Sequence, residues 1–326
     1  MLKTRIILLF IIFLFACSKT ENIEAFIGFK KPDHFPQPVY KLENNEISQA
    51  GFELGRKLFY EARLSRNNTV SCGFCHLQTA AFTHHGHDVS HGIDDRLGSR
   101  NSPPIMNLAW NTTFMWDGGV FDLDLQPVVP ITNPVEMDET MENVLNKLRN
   151  TAPYPALFKR AFGSEDITTA RMLKAMSQFM VMLVSDQSRY DSVVRKQAVF
   201  TVAEEKGYSL FQQKCSSCHK EPMFTDYSFR NNGIGAGPNN DEGRYAITLN
   251  PDDRYKFKVP SLRNLAYTAP YMHDGRLYTL NAVLEHYNSE LTGGLSDDDR
   301  NYLLAFLNTL NDKHFITDKR FSEESQ

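Results

Sequence analysis

The chain has 326 residues, 41% of them hydrophobic and 23% charged, with a formal net charge of −4. That length leaves room for two domains of ordinary size, and the hydrophobic share places the chain among globular rather than disordered proteins. The slightly negative balance argues against a general nucleic-acid binder, which needs clustered positive charge to displace counterions from phosphates.

Lys3 and Arg5 precede an apolar run over 6–16 that ends at Cys17. The run is too short to span a bilayer and fits the core of a signal peptide. Leu14-Phe15-Ala16-Cys17 resembles a bacterial lipobox, although Phe15 is bulkier than the usual residue at its place. Residues 1–17 are therefore expected to be a lipoprotein signal peptide, with Cys17 acylated after cleavage. Ser18 gives no retention signal, so the expected location is the periplasm, with a lipid anchor in the outer membrane. Residues 18–42, with Pro32, Pro36 and Pro38, read as a tether.

A first helix is expected over 48–60, with Phe52, Leu54, Leu58 and Phe59 as its apolar residues. It leads to Cys72-Gly73-Phe74-Cys75-His76. Glycines and prolines exclude a long helix over 84–104. Helices are expected to resume over 137–149 and 167–184, the latter apolar at Met172, Ala175, Phe179, Met180 and Leu183. Thr201 and Glu204 form a capping box for a helix carrying Tyr208, Leu210 and Phe211. That helix runs into Cys215-Ser216-Ser217-Cys218-His219. A loop rich in glycine and asparagine over 231–243 follows. The last helix starts at Ser296, with Asp297, Asp298 and Asp299 suited to its positive end and Leu303, Leu304, Phe306, Leu307 and Leu310 as its apolar residues.

Cys-x-x-Cys-His is the attachment signature of haem c: two thiols bind the vinyl groups and the histidine ligates iron. The two copies use Cys72, Cys75 and His76, and Cys215, Cys218 and His219. With Cys17 they account for all five cysteines, so no disulfide is expected. A structural zinc site is the competing use of paired cysteines. The histidine after each pair, the wide separation of the pairs and the exported character of the chain count against it. Helix, motif and loops thus occur twice. The expectation is a mainly α protein of two cytochrome c-like domains, each with one covalent haem: an N-terminal domain over 43–195 and a C-terminal one over 196–326.

What stands opposite each proximal histidine decides whether a haem carries electrons or binds peroxide. His84, His85, His87 and His91 crowd the stretch after the first motif. They are either a solvated polar loop or the source of a distal ligand. For the second haem, Met272 would give a cytochrome-like site of raised potential.

The chain resembles the bacterial di-haem cytochrome c peroxidases and their MauG-type relatives over nearly all of its mature length. The resemblance rests on Leu54-Gly-Arg-Lys-Leu-Phe59, Leu64-Ser65, Ser71-Cys-Gly-Phe-Cys-His76, Arg100-Asn101-Ser-Pro103, Trp116-Asp-Gly118, Asn133-Pro-Val-Glu-Met137, Lys258-Val-Pro-Ser-Leu-Arg-Asn264 and Ala269-Pro-Tyr-Met-His-Asp-Gly275. It implies that the His76 haem is the peroxide site, with His91 as a loop ligand that caps it at rest. It implies Glu136 as the distal acid-base and Gln126 as a pocket amide. A positioned carboxylate can take a proton from one peroxide oxygen and deliver it to the other. Trp116 matches the tryptophan between the haems. Gly118-Gly119 stands where many members have Gly-Arg, which removes a local charge contact. For the second haem, the register favours Tyr287 over Met272, with His286 a lesser candidate. A tyrosine there is the MauG-type choice. The resemblance also implies a calcium ion held by Asn101, Thr268 and Pro270, donors of a kind that suits calcium.

The function expected is reduction of hydrogen peroxide to water with electrons from a small cytochrome c or cupredoxin-like donor. A MauG-type oxidase acting on a protein or metabolite is the first alternative, and a non-catalytic di-haem electron carrier the second. Many members are dimers, so a homodimer fits the resemblance, and nucleic acid is not an expected partner.

Overall fold

The computed structural model describes residues 26–323. The expected signal peptide, Cys17 and the first part of the expected tether lie outside the described residues. In chain order the helices are α1 (Gln49–Phe59), α2 (Cys72–Cys75), α3 (Val128–Thr132), α4 (Met141–Arg149), α5 (Tyr154–Phe162), α6 (Thr169–Met182), α7 (Arg189–Val194), α8 (Val202–Lys214), α9 (Tyr245–Thr248), α10 (Leu280–Tyr287), α11 (Asp297–Asn308) and α12 (Lys313–Thr317). The described strands, β1 (Phe229–Arg230) and β2 (Phe257–Lys258), form one short antiparallel ladder. The protein is mainly α, as its sequence pattern requires.

Two helix crossings organise two hydrophobic cores. Ser48 caps α1 by accepting a hydrogen bond from Gly51 N at 3.0 Å, which satisfies an amide that the helix start leaves bare. Phe52, Leu54, Leu58 and Phe59 then turn inward together and are buried. Gly55 shares that face, where α1 meets α6. A methyl group at Gly55 would lie 1.9 Å from Ala175 O, so only glycine permits the approach. The second core repeats the device. Thr201 and Glu204 form the expected capping box on α8, and Ser296 with Asp299 forms another on α11. Gly207 of α8 rests on α11, and a methyl group there would lie 1.9 Å from Tyr302 O. Phe211, Leu303, Phe306 and Leu307 fill the space around this crossing.

Four boundaries differ from the sequence expectation. The helix expected from 137 starts at Met141, because Asn133 Oδ1 accepts from Val135 N and closes a loop that Thr140 ends as the new cap. Residues 26–42 are packed rather than extended as a tether. Phe35 is buried edge-on against Trp110 at 5.1 Å, Trp110 Nε1 donates to Pro36 O, and Val39 N and Tyr40 N both donate to Ala109 O. An aromatic at that position anchors the segment by burial, whatever its proline content. The border between the halves is also crossed in both directions. Tyr190 of α7 belongs to the second core, and Phe315 and Phe321 near the C-terminus return to the first. The expected helix over 167–184 is confirmed in its centre and is shorter at both ends.

Candidate haem sites and the junction between them

At the first motif, α2 holds Cys72 and Cys75 on one short turn. The His76 ring is fixed by Nδ1, which donates to Phe82 O at 2.7 Å. The other nitrogen, Nε2, is thereby the one left to ligate iron, the usual arrangement of a ligating histidine. Burial pushes this imidazole down to about 4, partly offset by the Phe82 carbonyl, so it is neutral, as a ligand must be. At the second motif, His219 Nδ1 donates to Phe224 O at 3.1 Å, and burial again lowers the imidazole. The four described cysteines form no disulfide, and no cluster of metal-binding side chains joins the two pairs among the described residues. At each site the histidine after the cysteine pair is held at Nδ1 by a backbone carbonyl, an arrangement that fits a covalently attached haem.

Glu136 lies near the first motif. Burial raises its carboxyl above the usual range, offset in part by Asn133 Nδ2, which donates to Oε1 at 2.9 Å. Burial pushes the Cys75 thiol up to about 12, and the Glu136 charge adds to that rise. Ile93 N donates to the backbone carbonyl of Glu136 at 2.7 Å, which ties the histidine-rich loop to the segment that carries this residue. Gln126 ends a 3-10 turn, and its amide reaches Met115 Sδ at 3.8 Å. No hydrogen bond joins it to Glu136 among the described residues.

The histidines form a group of their own. The His84 ring stacks on His87 at 4.2 Å, and His87 meets His91 at 4.3 Å. His91 Nδ1 lies 3.2 Å from the exposed Asp95 carboxylate. Together with Val70 and Phe74 these residues line a cavity of about 310 Å³. The His91 carbonyl, not its ring, contacts Cys75 Sγ, at 3.2 Å. His85 lies apart, near Thr79.

Trp116 occupies the junction of the two halves. Its indole donates to Asn101 O at 2.8 Å, and its carbonyl accepts from Lys258 N at 2.8 Å. Asn101 N in turn donates to His273 O at 2.7 Å. Asn101 Nδ2 donates to His87 O and Asp88 O, which leaves Oδ1 as the atom that could face a cation. Thr268 and Pro270 sit a few residues before His273, with Pro270 in a cis peptide. Beside Gly118-Gly119, Arg100 bridges Asp117 at 2.5 Å and Asp241 at 2.6 Å, and Arg244 Nη1 donates to Asp117 O at 2.9 Å. Arg100 was legible only as part of a motif, and Arg244 and Asp241 carried no sequence signal because their partners are remote in the chain.

Tyr287 and Met272 are brought together. Asn232 Nδ2 donates to Met272 Sδ and to Tyr287 Oη, each at 3.4 Å. Burial raises the Tyr287 phenol; Asn232 lowers it, and Cys218 and Cys215 add smaller upward contributions. His286 Nε2 donates to Asn232 O at 2.9 Å. Asn232 has no motif around it that sequence reasoning used.

Two Cys-x-x-Cys-His attachment sites, each with its histidine anchored on a backbone carbonyl, lie on one helical scaffold. A family model described as di-haem cytochrome c peroxidase matches residues 49–199. The methylamine utilization protein MauG of Methylorubrum extorquens is 36% identical over 306 residues, covering 86% of this chain and 83% of that protein. The cytochrome c551 peroxidase of Pseudomonas aeruginosa is 33% identical over 290 residues, covering 85% and 83%. The crystal structure of a MauG-like protein associated with microbial copper homeostasis has a TM-score of 0.84 and 34% identity, covering 91% of this chain and 99% of that one. The chain belongs to the di-haem cytochrome c peroxidase family, and that membership implies two haem c groups. No helix among the described residues is long and apolar enough to cross a membrane.

Proposed function

We propose that this protein is a periplasmic, lipid-anchored peroxidase that reduces hydrogen peroxide at the His76 site, with electrons that a small cytochrome c or cupredoxin-like donor delivers through the His219 site. Two cytochrome c-like domains, one around each core, are the architecture this reading uses. The observation that carries it is the raised, half-buried Glu136 carboxyl beside the first motif. Reduction of peroxide to two waters consumes two electrons and two protons. Bound through Cys72, Cys75 and His76 and through Cys215, Cys218 and His219, the haems would supply the redox-active iron. Glu136 takes the proton from one peroxide oxygen and returns it to the departing one, and a carboxyl raised towards neutrality is suited to both steps. Gln126 holds the oxygen species by its amide, and Trp116 lies on the electron path. For His91 to cap the first haem, its ring would have to leave His87 and Asp95; our reading keeps it in the histidine group. Calcium at Asn101, Thr268 and Pro270 steadies the same junction.

The position of Tyr287 next to the second motif favours the MauG-type oxidase as the other reading. Two measurements separate them. Peroxide turnover with a reduced small cytochrome supports the peroxidase. Its absence, with peroxide consumed only when an oxidisable protein or metabolite is present, supports the oxidase. Failure of both, with two unchanging low-spin haem spectra, would return the protein to electron carriage.

A further inference from the structure

The two side chains that compete for the second haem meet at one amide. Asn232 Nδ2 carries two protons and points at both Met272 Sδ and Tyr287 Oη, each 3.4 Å away. The thioether and the phenol therefore lie within two hydrogen-bond lengths of each other. The amide oxygen is held by Ile234 N, which donates to Asn232 Oδ1 at 3.2 Å, and the Asn232 backbone carbonyl accepts from His286 Nε2 at 2.9 Å. Only the NH₂ group remains to face the pair.

Met272 is delivered to this spot by the fold. Its φ is +74°, in the left-handed region that non-glycine residues avoid. The turn is closed around it by Tyr271 N donating to Leu277 O at 2.7 Å and Gly275 N donating to Met272 O at 3.3 Å. A strained backbone conformation persists only where the surrounding contacts impose it. Tyr287 arrives independently, at the end of α10.

We propose that Met272 is a reserve ligand of the second haem and that Asn232 is the positioning residue that selects between it and Tyr287. The proposal rests on the reading that Tyr287 ligates. Anionic phenolate oxygen stabilises ferric iron, whereas the neutral, soft thioether favours the reduced state and raises the potential. With Tyr287 in place, one amide proton supports its oxygen and the other engages the Met272 sulfur lone pair that would otherwise bind metal. Without Tyr287, the sulfur is already within reach of the same position.

The test uses the full di-haem protein, with haem content checked at two per chain. In Tyr287→Phe the second haem is expected to stay low-spin, to gain the near-infrared charge-transfer band of a methionine–iron bond, and to rise in midpoint potential. Tyr287→Phe with Met272→Leu should turn that haem high-spin, while Met272→Leu alone leaves the spectrum unchanged. Asn232→Leu should give a mixture of the two ligations and an intermediate potential. A high-spin Tyr287→Phe protein overturns the reserve role of Met272 and leaves Tyr287 as ligand. A methionine band already present in the unmodified protein, and unaltered by Tyr287→Phe, overturns the reading of Tyr287 and this proposal with it. An Asn232→Leu protein with unchanged spectrum and potential overturns the selecting role of Asn232.

Discussion

The two motifs have the same five-residue pattern and the same histidine anchoring, yet their surroundings differ in kind. Around His76 stand a carboxylate with a raised proton affinity and a chain of stacked imidazoles. Around His219 stand an amide, a thioether and a phenol, with no carboxylate acid-base in the described contacts of Asn232. Titratable groups collect at one site, and a thioether and a phenol at the other. Under the proposed function, identical attachment chemistry would serve two roles that the environment assigns.

Replacing the acid should break this asymmetry most. Glu136→Gln is expected to lower peroxide turnover by about 100- to 10,000-fold while both haem spectra are retained. Turnover within about threefold of the unmodified protein would remove Glu136 from the mechanism.

The join between the halves comes next. Arg263, fully buried, makes two 2.9 Å bonds to Asp191, which also holds His34 at 2.8 Å. Arg263→Met removes the guanidinium from a buried carboxylate and should cost roughly 3–5 kcal/mol in urea denaturation. Burial raises the Asp191 carboxyl, but the charge and hydrogen bonds of Arg263 outweigh it and hold the group at about 2. A lowered acid gives stability that is present above its ordinary value of 3.8 and lost as pH falls through about 2. The gap between the two proteins should accordingly narrow over that acid range, which denaturation at several pH values would reveal. A constant gap would show that the pair is not what Arg263 contributes.

The equivalence of the two helix crossings is tested by Gly55→Ala and Gly207→Ala. Each adds a methyl group 1.9 Å from a carbonyl oxygen, and each should cost about 1–3 kcal/mol through overpacking. Loss of stability in only one of them would mean that the crossings are not alike. The smallest effect is expected at the caps: Thr201→Ala and Ser296→Ala should each lower stability by about 1 kcal/mol in thermal or urea melts.

Much of the helical framework was legible in the sequence. Ser48, Thr201 and Ser296 mark helix starts by hydrogen bonds within a few residues. The apolar faces of α1, α6, α8 and α11 follow from spacing alone. The proline-containing segment over 26–42 misled, because composition says nothing of the pocket that receives Phe35. The charges that surround Asp117 were hidden for a similar reason: Arg100 and Arg244 come to it from elsewhere in the chain.

By itself, then, the sequence determined the covalent chemistry and the local structure: two Cys-x-x-Cys-His attachments, their histidines, and the helices that lead into them. These depend on residues a few positions apart, whose relation is set by backbone geometry. Tertiary structure alone decided that the His91 ring joins His87 and Asp95, that Trp116 is held from both halves, and that Met272 and Tyr287 share the amide of Asn232. Those relations join residues distant in sequence. They exist only because closing the chain around two cores fixes which remote loops are brought into contact.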